Sequence, residues 1–473
     1  MAFFTKRPKD KDGGERPAAD RAASLPAKPN VPPDVKKPAP APEPKKPAAP
    51  VTKPESRLVS LDAYRGFIML MMASGAFGLA KIVKEKKLEE AGVVAGSFFD
   101  RAFRFLAWQF DHVPWQGGVV WDLIQPAFMF MVGVALPYSF SRRAAVGESY
   151  LVRFGHALFR SLVLILLAVF LSTGSEHKQP HFIFVNVLAQ IGLGYPFLFL
   201  FVNRPAWLQW GAIALICGGM WYAFFQHPLP PEGFDYATVG IAADDPHRDD
   251  FVPAGLNQHW AKHTNFAEAM DHYILNWFPR EKPFERNAGG YATLNFVTAL
   301  ATMLLGLIVG EMLRSNRTEK QKLQWLGAVG GICLVLGLAL GFTVNPIVKR
   351  IWTPSWMLAS GACVVWMLAA FYWLFDVRGW KRLAWPLAVV GMNSIVMYML
   401  AQLMKGWTAR TLKLHFGQAY QVGAEWLNAH VGWSLGTELF GGPFGDFYQS
   451  LAVLFCFWLV CVWLYRQKIF VRI

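Results

Sequence analysis

From residue 58 onward the chain alternates long apolar stretches with shorter polar connections. Crossing a bilayer as a helix takes about 20 predominantly apolar residues. Such stretches recur at about 58–78, 119–140, 157–173, 183–203, 207–225, 291–312, 323–344, 356–375, 383–404 and 447–465. Lipid offers the backbone no hydrogen-bond partners, so each stretch is expected to be helical. The pattern predicts an all-α fold, a polytopic transmembrane bundle of about ten helices. Three connections are long, at about 79–118, 226–290 and 405–446, and they are rich in Trp, His and Gly.

Residues 1–56 break this pattern. They are rich in Pro, Ala and Lys, as in Lys36-Lys37-Pro38-Ala39-Pro40, and nearly devoid of large apolar side chains. Such a stretch cannot bury a core, and no apolar segment follows its charges closely enough for a signal peptide. The expected organisation is a disordered Pro/Lys-rich cytoplasmic tail over 1–56 and a transmembrane domain over 57–473. The tail reads as a solvated tether and topology determinant, with contact to anionic lipid as the alternative.

Composition and charge sharpen the picture. Only 16% of the 473 residues are charged and 54% are hydrophobic, whereas soluble domains carry about a quarter charged residues. That excludes an ordinary soluble enzyme and a disordered protein. The net charge of +14 reports cytoplasmic loops rather than a nucleic-acid partner. The short connections on one side hold fourteen Lys and Arg, including Arg142, Arg143, Arg314, Arg317, Arg378 and Lys381; those on the other hold Lys178, Lys349 and Arg350. The basic side is expected to be cytoplasmic, with both termini, and the long connections extracytoplasmic. The five cysteines, Cys217, Cys333, Cys363, Cys456 and Cys461, lie inside apolar runs, so neither a disulfide framework nor a zinc site is expected. His259 and His263 are four apart but lack an intervening Glu and a third ligand, so no metal is assigned.

Polar groups within spanning segments are costly and are functional candidates by default. Asp62 and Arg65, near the start of the first helix, share a face at i,i+3. They read either as an anion-binding pair or as a structural ion pair. Ser74 lies near the other end of that helix, about 18 Å away. His112 stands just before the second segment and Asp122 about a turn inside it. A histidine there can move a proton near neutral pH or act as a nucleophile, with the carboxylate orienting its ring; an interfacial histidine bonded to a loop carbonyl is the alternative. Gln190 and Asn393 read as lining a polar cavity or as interhelical glue. Trp115 reads as a sugar platform or an interfacial anchor.

These residues fall in motifs that resemble the heparan-α-glucosaminide N-acetyltransferase-like family of membrane acetyltransferases. The motifs are Arg57-Leu58-x-Ser60-Leu61-Asp62-x-x-Arg65-Gly66, the His112–Gly133 stretch, and Leu188-x-Gln190-Ile191-x-Leu193-x-Tyr195. They continue with Asn345-Pro346-Ile347 before Trp352-Thr353-Pro354-Ser355, and end with Gly391-Met392-Asn393. The resemblance implies transfer of an acetyl group from cytosolic acetyl-CoA to a glucosamine amine across the membrane, with His112 as the catalytic histidine. It implies that Asp122 orients His112 and that Asp62, Arg65, Gln190 and Asn393 attend the acetyl-CoA path. It leaves open whether His112 carries the acetyl group or deprotonates the amine.

Two departures stand out. Ser74 occupies the place of an Asn that assists the histidine in the family, and about 35 residues separate it from His112, more than in the animal members. The insertion reads as an amphipathic or extramembrane helix covering the site. The Pro-rich tail stands where animal members carry a soluble domain. A bacterial inner-membrane enzyme acting on an amino sugar or envelope glycan is therefore expected. Its partners would be the lipid bilayer and that acceptor, with a homodimer left open and no nucleic acid. A sugar or small-solute transporter on the same fold is the rival reading, and an envelope assembly factor a third.

Overall fold

The computed structural model describes residues 58–174, 177–431 and 442–471. Residues 1–57, which include the expected tail, lie outside the described residues. The helices run in the order α1 Val59–Ser74, α2 Leu79–Lys84, α3 Lys87–Glu90, α4 Phe98–Gln109, α5 Ile124–Ala145, α6 Tyr150–Thr173, α7 Val187–Leu200 and α8 Ala206–Gln226. After a long connection that contains the short α9 Arg248–Phe251 and α10 Phe266–Leu275 come α11 Asn295–Arg314, α12 Glu319–Thr343 and α13 Pro354–Tyr372. The chain continues through α14 Lys381–Met392, α15 Ser394–Leu403, α16 Lys405–Val431 and α17 Gly445–Arg466. Among the described residues there is no strand, only one isolated antiparallel bridge between Gln116 and Val348.

The chain is an integral membrane protein of multiple spans. Eight of the expected stretches are helices long and apolar enough to cross a bilayer. The other two differ. The stretch at 183–203 becomes α7, whose 14 residues rise only about 21 Å, short of a bilayer core of about 30 Å. The stretch at 383–404 is broken into α14 and α15, bent by 68°, so among the described residues eight helices are long and apolar enough to cross, or nine if the bent pair counts as one. The connection at 405–446 is not simply a loop, because α16 fills much of it.

The centre of the bundle is α11, whose apolar face continues around most of its circumference. Glycines let it approach α5 backbone to backbone. A Cβ on Gly133 would collide with the Met303 carbonyl, and one on Gly306 with that of Phe130. This is the small-residue packing by which helices associate in lipid. The same device joins α1 to α14, where Gly66 faces the Leu387 carbonyl and Gly391 faces that of Asp62. Leu58 supplies no side-chain cap to α1. Its first amides are capped from across the fold instead, Val59 N donating to Asp376 Oδ1 at 2.9 Å and Ser60 N to Oδ2 at 3.1 Å, with the negative charge at the positive end of the helix dipole.

The connection between α8 and α11 builds a second, smaller core. Trp115, Phe224, Tyr236, Phe251, Trp260 and Ile351 cluster there with Val348. Two of its parts, the segments around Trp115 and around Val348, also carry the residues described next.

Candidate active site

Three connections converge at one end of the bundle: 111–119, 287–294 and 345–353. The first and third run side by side. Gly117 N donates to Ile347 O at 2.8 Å, and Gln116 pairs with Val348. Arg350 ties all three together, donating to Gly289 O at 2.7 Å and Val113 O at 3.3 Å, while its guanidinium lies over the Tyr291 ring. Asp250 anchors the first connection from below, accepting Gln116 N at 3.1 Å. Burial raises the Asp250 carboxyl above its ordinary range, against the opposing pull of the Gln116 and Trp115 amides.

The turn at 345–353 is fixed by its own side chains. Thr353 Oγ1 accepts Val348 N at 3.0 Å and caps α13 through Trp356 N at 3.3 Å. Ser355 Oγ accepts from Asn345 Nδ2 at 3.2 Å and donates to Pro346 O at 2.8 Å. Trp352 sits at φ 47°, a left-handed conformation that costs a bulky residue of order 1–3 kcal/mol and persists only where the surroundings impose it. Here they do: its indole is buried and donates to Thr302 Oγ1 at 3.2 Å.

This frame brings together His112, Asp122 and a third residue, Lys349. His112 Nδ1 lies 2.6 Å from Asp122 Oδ1. Lys349 Nζ donates to the same oxygen at 3.0 Å and lies 3.3 Å from His112 Nδ1. Asp122 Oδ2 faces Val119 N at 3.4 Å. The Asp122 and Lys349 side chains are 1% and 7% exposed, while that of His112 is 42% exposed. The buried carboxylate is therefore charge-compensated by lysine and hydrogen-bonded by histidine. An Asp122 carboxylate holding Nδ1–H selects the tautomer in which Nε2 carries the lone pair. The Lys349 contact to Nδ1 is then a cation beside the ring edge rather than a hydrogen bond. Among the described residues Nε2 has no partner. The arrangement presents a basic, nucleophilic nitrogen to the outside of a buried ion pair.

The other expected site residues lie elsewhere. Ser74 is buried and donates back to Met71 O at 2.6 Å within its own helix, not to His112. Its end of α1 approaches the His112 loop through the ring contact of Phe77 with Phe110. Trp115 is fully buried and donates to Trp260 O at 3.1 Å, so it props the site's backbone and offers no open face. Gln190 Nε2 is shared among the carbonyls of Phe184, Ala292 and Thr293, at 2.8, 3.4 and 3.2 Å. Asn393 stands at the break between α14 and α15. Its Nδ2 donates to Ile469 O at 3.1 Å and its Oδ1 accepts Val471 N at 3.0 Å. Asp62 and Arg65 lie on one face of α1, 3.8 Å apart, and Arg65 also donates to Gly391 O at 3.4 Å. They are near the far end of α1 from His112.

Lys349 does not stand out in the sequence as a site residue and weighs there only toward topology. Its signal was present: it is one of three basic residues in the short connections of the basic-poor side, and it lies between two recognised motifs. No cluster of His, Cys, Asp and Glu suited to a metal occurs among the described residues.

Comparison with known proteins adds a family. Residues 93–254 match the model of heparan-alpha-glucosaminide N-acetyltransferase, catalytic. The chain is thus similar to this family over about a third of its length. The match contains His112 and Asp122 but not Lys349. Curated relatives named heparan-alpha-glucosaminide N-acetyltransferase, from Mus musculus and Homo sapiens, are each 22% identical to this chain, over 403 and 417 residues. In both cases 77% of this chain and 56% of the relative are aligned. The chain thus spans about half the length of the curated relatives it matches.

Proposed function

We propose that this protein is a membrane N-acetyltransferase that moves an acetyl group from acetyl-CoA to the amine of an amino sugar or glycan. The observation that carries the reading is the accessible His112 imidazole mounted on the buried Asp122–Lys349 pair. The similarity to heparan-alpha-glucosaminide N-acetyltransferases supplies the donor and the acceptor class.

In this reading Asp122 holds the His112 ring and its tautomer. Nε2 either attacks the thioester carbonyl, forming an acetyl-imidazole as the CoA sulfur leaves, or removes a proton from the attacking amine. In both routes the ring gains positive charge, which the adjacent carboxylate stabilises, as the carboxylate does in a Ser-His-Asp triad. Lys349 makes the buried carboxylate tolerable before substrate arrives. Arg65, set by Asp62, contacts the donor's phosphates at the opposite end of α1. Gln190 and Asn393 act as braces for the walls of the path between. Ser74 supports the end of α1 beside the reactive loop. The basic-poor end carrying His112 faces out of the cytoplasm of a bacterial inner membrane, in keeping with the Lys and Arg distribution, and both termini are cytoplasmic.

The test is transfer from radiolabelled acetyl-CoA to glucosamine by the full chain in detergent, with His112→Ala and Asp122→Asn alongside. Wild-type transfer is expected, with loss in His112→Ala and a fall of up to about 10⁴-fold in Asp122→Asn, the loss when a triad's orienting carboxylate becomes an amide. Saturable acetyl-CoA binding without transfer points to another amine. Neither binding nor transfer sinks the enzyme and leaves a transporter.

A further inference from the structure

The insertion between α1 and His112 contains a helix that is amphipathic the wrong way round for water. On α4, Phe98, Phe99, Phe105 and Leu106 recur at i, i+1, i+7 and i+8 and share one face, with Trp108 against Phe105 at its rim. All five are exposed, Phe98 at 84%. The side turned inward carries Asp100 and Ala107. Asp100 is bonded to Gly96 N at 2.9 Å and Arg104 Nε at 2.7 Å. A soluble helix would bury the phenylalanines and expose the aspartate. At 12 residues, about 18 Å long, α4 is too short to cross a bilayer.

Its C-terminal end and its middle are fixed to the mouths of two spans. At the C-terminal end, Gln109 Oε1 accepts from Val120 N at 3.2 Å, and Val120 is the first residue of the span Val120–Ala145. At mid-helix, the Phe103 ring meets that of Phe444, immediately before the span Gly445–Arg466. The neighbouring segment is pinned at the same level, since Lys81 and Lys87 both bond Asp446 in the first turn of that span. A helix fixed at the level where two spans begin, apolar face outward and with the exposed Arg101 one turn before Phe105 at the rim of that face, matches a helix lying in the membrane interface.

We propose that α4 is an in-plane interfacial helix whose phenylalanine face is covered by phospholipid, and that it seats the reactive loop at the bilayer surface. The coupling is short: α4 ends at Gln109, three residues before His112, and the Phe110 ring packs tilted against that of Trp121 at the start of the next span. Lipid contact is thereby tied to the depth of the imidazole. This inference stands whether or not the protein is an acetyltransferase.

The experiment places the photocrosslinker p-benzoylphenylalanine at Phe98, at Phe105 or, as a control, at the exposed Glu90. The full chain is reconstituted in nanodiscs of phosphatidylcholine and phosphatidylglycerol, irradiated and analysed by intact mass. Phospholipid adducts at positions 98 and 105 at least fivefold above those at position 90 are expected. Chain-to-chain adducts at 98 and 105 would mean that a second copy covers the face, and would overturn the proposal. Lipid adducts no more abundant than at position 90 would place the face in water, with the same result. A melt of each variant within a few degrees of wild type excludes misfolding as the cause of either.

Discussion

Lys349→Met tests the ion pair at the centre of the site. Methionine keeps most of the lysine's length and apolar stem while removing its charge. Asp122 would then remain, at 1% exposure, with the His112 ring and the Val119 amide as its partners among the described residues. Removing one member of a buried pair typically costs 3–5 kcal/mol, because the other charge is left uncompensated. The surviving hydrogen bond from His112 offsets part of this, so a loss of about 3 kcal/mol is expected. Scaled by the usual entropy of unfolding per residue, that corresponds to a fall of roughly 3 °C in melting temperature. The double variant Lys349→Met with Asp122→Asn removes both charges and should recover most of the loss, since a neutral amide is far cheaper to bury. Activity should behave differently. The double variant lacks the carboxylate that stabilises the charged ring, so transfer should stay as low as in Asp122→Asn alone. Thermal melts of the four proteins in one detergent, together with acetyl-transfer rates, measure both. A Lys349→Met melt equal to wild type, or a double variant no more stable than the single, would refute the buried pair. Recovery of activity alongside stability would refute the assigned role of Asp122.

Other outcomes follow from features away from the imidazole. Asp271 accepts Thr293 N on both oxygens, yet burial pushes its pKa up to about 7. Since its folded pKa lies above the unfolded value of 3.8, the unfolded state gives up its proton first as pH rises. Stability should therefore fall between about pH 4 and 7 and level off above; melts across this range should flatten in Asp271→Asn. Gly391→Ala drives a Cβ into the Asp62 carbonyl and should cost about 1–3 kcal/mol by overpacking, visible as a lower melt and weaker acetyl-CoA binding if Arg65 contacts the donor. Asn393→Ala deletes both bonds to the chain at Ile469 and Val471, a loss of about 1–3 kcal/mol. Limited proteolysis should then cut near residue 469 faster than in wild type.

The membrane class, the all-helical fold and the approximate spans were legible in the sequence because hydrophobic length and backbone saturation in lipid are local requirements. So was the pairing of His112 with Asp122 as candidates, because an ionisable group at the start of a span is conspicuous. The sequence could not show where a polar side chain finds its partner. Ser74, Trp115, Gln190 and Asn393 all stand out as polar or aromatic residues near membrane helices. Their hydrogen bonds nevertheless go to backbone groups, one within the same helix turn and others brought near only by tertiary packing. The break at Asn393 was hidden for the same reason: its stretch is apolar enough to read as one span, and the bend accompanies an amide that clamps a segment 76 residues away. Lys349 lies 227 residues from Asp122, and its own segment reads as an ordinary short connection. Local propensity and hydrophobic period fixed which residues became helices and which polar groups were costly. Only the converging turns decided which of those groups would share a buried charge, because that depends on register between segments remote in the chain.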